Sequence, residues 1–177
     1  MEGTFTEEEK VEAEKDFQFL VEKGLDNDAI VKRFDCVAEK YDKMRKQGFL
    51  HIDGLEPSER MLEQAKKNNL YERYICDILA DKTLDIADDT YNIVTVVGLS
   101  SEIFSTLPIK AFEELVRITK SGGHILMNHY DYIFQRDVLR ANLAILEDRG
   151  LWKLEDKQIK PNTAHGFTGH LHVYNVL

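Results

Sequence analysis

The stretch that most constrains this chain is YNIVTVVGL, residues 91–99, a nearly continuous β-branched run. A strand with one wet face alternates polar and apolar residues. A run with little alternation is the pattern of a strand covered on both faces. Such a strand needs helices above and below it, which restricts the chain to a layered α/β arrangement.

The flanking sequence supplies those layers. FLHIDGL (49–55) reads as a short strand. PSERMLEQAKKNN reads as a helix that starts at Pro57 and Ser58 and places Met61, Leu62 and Ala65 on one face. RYICDIL (73–79) is a strand, PIKAFEELVRITK a helix from Pro108 that stops at Gly122–Gly123, and HILMNHY (124–130) a buried strand. Residues 133–149 form a helix with Leu139, Leu143 and Leu146 inward and Gly150 as its stop. LWKLEDKQIKP and GHLHVYNVL close the chain as an antiparallel pair. Before all of these, a capping box at Thr6 and Glu9 opens a helix to about Lys23. Ile30, Phe34, Val37, Tyr41 and Met44 mark the apolar stripe of a second helix. The alternation predicts one doubly wound domain whose sheet is mostly parallel.

The charge balance narrows the partners. Lys and Arg number 23 against 32 Asp and Glu, for a net charge of −9, and they form no long block. Nucleic-acid affinity rests on basic residues that displace counterions, so no nucleic-acid partner is expected. No apolar run reaches membrane-spanning length and the start carries no signal pattern, so no membrane partner and a cytoplasmic location are expected. Cys36 and Cys76 make no C-x-x-C pair and read as two reduced, buried thiols.

Glu56 stands where the FLHIDGL strand ends and a helix begins. In nucleotide-binding α/β folds, an acid so placed holds a ribose, and a glycine-rich strand–loop–helix precedes it. Here the preceding residues are AEKYDKMRK, with no glycine.

The stretches IVKRFDCVAEKYDK, GFLHIDGLEPSERMLEQAKKNNLYERYICDIL, DDTYNIVTVVG, AFEELVRITKSGGHILM and GLWKLEDKQIKPN with HLHVYNVL, taken in order, cover most of the chain. As a set they resemble the class I S-adenosylmethionine-dependent methyltransferases. More closely, they are similar to the methyltransferase-like family named after the Williams–Beuren syndrome chromosome region. The resemblance implies a Rossmann-like methyltransferase sheet with an antiparallel last strand, built as a single methyltransferase-like domain over 1–177. Residues 1–46 would be N-terminal helices and 47–177 the remaining sheet and helices. It implies S-adenosyl-L-methionine as cofactor and methyl transfer to a small-molecule or protein nucleophile.

One element of that family is missing. Its first strand, G-x-G-x-G-type loop and most of a helix would lie between AEKYDK and RKQGF, where only Met44 stands. A βα half-unit takes roughly twenty residues or more, so it does not fit. Cofactor binding is therefore expected to be impaired. The alternative reading is a non-catalytic interaction protein, a shortened isoform or a pseudo-methyltransferase. Loss of a central strand also leads to the expectation that the 49–55 and 92–98 strands pair directly, in parallel.

On the resemblance, Glu56 matches the ribose-binding acid, Met61 an adenine contact, Ala80 and Asp81 the turn beside the adenine ring, Gly98 the cofactor rim, and Tyr41 a cover from the N-terminal helix. Each has a plainer reading: a helix-dipole acid, a core methionine, a solvated loop acid, a tight strand exit and stripe packing. No catalytic residue is identified; Glu102 and His129 stand at strand exits where a base could act. His170 and His172 share a strand face, with His165 nearby, which suggests zinc. Without a cysteine partner or an H-E-x-x-H helix, no metal site is assigned.

Overall fold

The computed structural model describes residues 48–49, 51–80, 82–160 and 169–177. The two helices expected before residue 47, with Tyr41 and Cys36, lie outside the described residues, as do Asp81 and His165. The chain divides into two units, one ending at Ile78 and the other running from Leu79 to Leu177.

In the first unit, β1 (Gly54–Leu55) and β2 (Tyr74–Ile75) form a two-stranded parallel sheet joined through α1 (Glu59–Lys67). Ser58 caps α1, its hydroxyl accepting from the Met61 N–H at 3.3 Å. The helix buries Leu62 and Ala65, with Met61 half-buried beside them. Gly54 is required by a close approach: a Cβ there would meet the Tyr71 ring at 2.4 Å. Cys76 is exposed, which corrects the expectation of a buried thiol. It follows a strand of only two residues, too short to carry the chain under a covering layer.

The second unit holds a four-stranded sheet in the order β3-β4-β6-β5. Its strands are β3 (Tyr91–Val96), β4 (Thr119–Tyr130), β5 (Trp152–Lys160) and β6 (Gly169–Val176). The β3–β4 pair is parallel, whereas β6 runs antiparallel to both β4 and β5. The antiparallel last strand is thus as expected. Four helices accompany the sheet: α2 (Ser101–Ser105), α3 (Ile109–Ile118), α4 (Asp131–Phe134) and α5 (Asp137–Asp148). Leu139, Leu143 and Leu146 are buried, as the sequence pattern requires. They join Phe112, Ile125, Met127 and Trp152 in one core. Trp152 is fully buried and its indole N–H donates to the Leu143 carbonyl at 3.2 Å, so burial of the ring leaves no polar orphan.

Several expectations are corrected. Among the described residues the expected pairing of the 49–55 and 92–98 strands is not found: β1 pairs with β2, and β3 with β4. The run is also not covered throughout: Ile93 of β3 is 41% exposed and Val97, just after it, 59%. α3 ends at Ile118 rather than at Gly122–Gly123. Thr119 is already extended, and its hydroxyl donates back to the Leu115 carbonyl at 2.7 Å. The glycines instead serve β4, where Gly122 has φ +76 and a Cβ on Gly123 would meet the Asn92 carbonyl at 2.8 Å. The helix expected over 133–149 is two helices, broken at Gln135–Arg136.

A Gly54→Ala substitution should destabilise the protein by about 1–3 kcal/mol through overpacking against Tyr71. In a Tyr71→Ala background the same change should cost much less, because the ring it strikes is gone. Chemical denaturation of the four proteins in this cycle tests the contact; equal costs in both backgrounds would refute it.

Candidate functional site

Glu56 lies at the end of β1, where the chain turns into α1. Its backbone N–H donates to the Ile75 carbonyl at 3.1 Å, extending the parallel ladder by one residue. Its Oε1 accepts from the Ser58 N–H at 2.9 Å. The carboxylate thus holds the turn at the helix N-terminus, which gives the dipole reading a concrete bond. Among the described residues its other oxygen takes no hydrogen bond. Met61, three residues after the cap, belongs to the same unit.

Ala80 and Gly98 belong to the second unit. Ala80 is half-buried, and Gly98 is exposed with φ +73. That left-handed conformation favours glycine, so the tight exit from β3 has a local cause independent of any ligand. The structure brings Glu56 and Met61 into one unit and Ala80 and Gly98 into the other, while Tyr41 and Asp81 lie outside the described residues.

His129, at the end of β4, stacks on Phe104 of α2 with centroids 5.2 Å apart and rings 8° from parallel. Its Nδ1 accepts from the Tyr130 N–H at 2.8 Å. Burial pushes its pKa down to about 4, against the upward pull of hydrogen bonds to the Leu99 and Ser100 backbone. The ring is neutral and committed to the main chain, a poor arrangement for a general base. Glu102 is exposed on α2.

His170 and His172 share a face of β6, as the sequence indicates. His170 Nδ1 is 3.3 Å from Asp131 Oδ1. His172 is 3% exposed and stacks on Phe134 with centroids 3.7 Å apart. Its Nδ1 lies 3.5 Å from the Tyr174 hydroxyl, and its Nε2 has no protein partner among the described residues. Burial, reinforced by the charges of Lys157 and His170 against that of Asp131, lowers its pKa to about 4. Among the described residues no group of three His, Cys, Asp or Glu side chains could hold a metal ion.

The sequence reading missed the strongest polar cluster. Glu114, 6% exposed, accepts from the Leu84 N–H at 2.7 Å and from Arg117 Nε at 2.8 Å. Arg117 also binds Asp88 and donates to the Leu84 carbonyl at 3.3 Å. The Arg117 guanidinium, helped by the Leu84 N–H, holds the Glu114 carboxyl below its usual range despite burial. The cluster fastens the loop before β3 to α3. A recess of about 310 Å³ lies over it, lined by Lys82, Thr83, Lys110, Glu113, Glu114 and Arg117, none of them a residue the sequence reading singled out. An i,i+3 Glu–Arg pair in EELVR signals an ion pair, but nothing in the sequence shows that Glu114 is buried.

Residues 35–127, more than half of the chain, match the model of the family described as "Methyltransferase domain". Human methyltransferase-like protein 27 is 32% identical over 114 residues, a match that covers 63% of this chain and 45% of that protein. The chain thus spans less than half the length of this curated relative. Among solved structures, a TehB-like SAM-dependent methyltransferase from Corynebacterium glutamicum superposes with a TM-score of 0.57 at 15% identity, covering 95% of this chain and all of that one. The PH0226 protein from Pyrococcus horikoshii gives 0.56 at 15% identity, with 80% and 79% covered. The N-methyltransferase NodS from Bradyrhizobium japonicum gives 0.53 at 10% identity, with 71% and 73% covered. These likenesses show the Rossmann-like α/β fold. Among the described residues no helix is long and apolar enough to cross a membrane.

The two lowered histidines set a pH dependence. The unfolded chain takes up protons at positions 129 and 172 near pH 6.5, whereas the folded protein resists until about pH 4. Stability is therefore full above about pH 6.5 and falls as pH drops toward 4, by at most about 3 kcal/mol per ring. Urea unfolding at several pH values in this window should show the decline. His172→Phe, which keeps the stack on Phe134, should remove about half of it and leave the share of His129; a wild-type stability that does not change across the window counts against the account.

Proposed function

Because the chain belongs to the methyltransferase-domain family, we propose that it binds S-adenosyl-L-methionine and transfers the methyl group to a small-molecule or protein nucleophile, with weakened hold on the cofactor. Residues 1–177 act in this reading as one methyltransferase-like domain, close to the Williams–Beuren-type methyltransferase-like family.

The observation that carries the reading is Glu56. It follows a parallel strand at the start of a helix, the place of the ribose-binding acid in such folds, with its Oε1 bonded to the Ser58 N–H. The AEKYDKMRK segment supplies no glycine loop whose backbone N–H groups could approach the cofactor's methionine end. Fewer preorganised hydrogen bonds mean weaker binding, by about a hundredfold for a loss of a few kcal/mol. Methyl transfer itself needs chiefly an in-line nucleophile, so the absence of an evident base does not oppose it. The family match gives this reading precedence over a non-catalytic interaction protein.

Calorimetry with S-adenosyl-L-methionine and its demethylated product tests both parts. Binding weaker than about 100 μM is expected, with Glu56→Ala weakening it at least about tenfold further while the fold stays intact. Micromolar binding would overturn the impairment. Binding that Glu56→Ala leaves unchanged would remove Glu56 from the site, and no binding at millimolar ligand would remove the cofactor reading.

A further inference from the structure

The carboxyl ends of parallel strands, here β3 and β4, are the ends at which open α/β sheets bind their ligands. The chain leaves β3 through Gly98, left-handed at φ +73, and Ser100 then caps α2. His129, near the end of β4, reaches this exit. It hydrogen-bonds to the Leu99 and Ser100 backbone, just ahead of α2. Its ring also stacks on Phe104 within α2, with centroids 5.2 Å apart and planes 8° from parallel. His129 thus touches the exit segment at two places, 99–100 and 104. The ring is held in turn, because Nδ1 accepts from the Tyr130 N–H at 2.8 Å. That bond sets the tautomer: with Nδ1 an acceptor, the neutral ring carries its proton on Nε2, which is left to donate to the loop carbonyls. Phe104 is 1% exposed and meets Phe134 edge to face at 5.4 Å, so its side of the stack is held as well.

We propose that His129 is a positioning residue: it latches the segment 98–105 to the end of β4 and so sets the shape of the ligand-binding rim there. The inference rests on the methyltransferase reading above, in which Gly98 belongs to the cofactor rim. Local sequence alone does not hold this segment. α2 has five residues, too few for a helix to stand without tertiary contacts, and of these only Phe104 is buried. Gly98 adds backbone freedom just before it. Leu99 and Phe104 anchor the segment through apolar contact with the core. His129 adds what those contacts lack, polar bonds that fix the direction of the main chain at 99–100. The same commitment explains why a histidine stands at a strand exit without serving as a base: both nitrogens are spent on backbone.

Measurements on the full chain test the latch. Nitrogen NMR of the histidine rings should show His129 neutral at about pH 6 with its proton on Nε2. His129→Phe keeps a ring against Phe104 and loses both nitrogens. In hydrogen exchange its amides over 99–105 should open at least about tenfold faster than in the wild type, with little change in β5 and β6. His129→Gln, whose side-chain amide still donates, should recover part of the protection. NMR titration with S-adenosyl-L-homocysteine should show His129→Phe binding at least about tenfold more weakly than the wild type, with His129→Gln between them. Circular dichroism checks that both variants fold. A ring protonated on Nδ1, exchange that stays unchanged or rises equally through the unit, or an affinity that holds while the segment loosens would overturn the proposal. A wild-type chain that does not bind at millimolar ligand overturns the cofactor reading instead, and the exchange pattern then decides the latch by itself.

Discussion

The second unit depends on the backbone of β4. Its residues 124–127 pair in parallel with β3 on one side and antiparallel with β6 on the other, so their N–H and C=O groups are used along both edges. A central strand satisfied in this way leaves its alternate side chains to build the core. Ile125 and Met127 are fully buried, their cross-strand partners Tyr174 and His172 nearly so, and Trp152 on β5 packs its ring 4.5 Å from Tyr174. The helices α3 and α5 then cover this face with Phe112, Leu139 and Leu146. Gly122 and Gly123 are the local condition for this strand, since they let the chain pass from α3 into the sheet against the Asn92 carbonyl.

The same strand organises the polar chemistry at its far end. His129 and His170 face each other across β4 and β6, and Asp131 pairs with His170. Where the two histidines differ is in their surroundings: His129 spends its nitrogens on main-chain partners, whereas His170 reaches a carboxylate. A pair of histidines two residues apart on β6 suggests a metal, yet His172 turns its ring onto Phe134 and stays neutral through burial. Nothing in the H-x-H spacing distinguishes ligands from core rings; only the presence of Phe134 against the face does.

The fold class and its order were legible in the sequence. YNIVTVVGL marked a strand through its β-branched run, and the 3.6-residue periodicity of ERMLEQA and AFEELVRI and the leucines of α5 marked helices, because a helix with one wet face repeats its apolar residues at its own period. Gly150 and Ser58 marked ends through left-handed φ and side-chain capping. Glu56 was legible as an acid between a strand end and a helix N-terminus, where its carboxylate accepts from the Ser58 N–H. Tertiary structure alone decided the rest. It set which strands are neighbours, since pairing depends on how crossovers return and not on strand composition. It buried Glu114 under Arg117 and the Leu84 N–H, and it gave His129 and His172 their low proton affinity. Those properties come from residues distant in sequence that exclude water, and no local pattern records them.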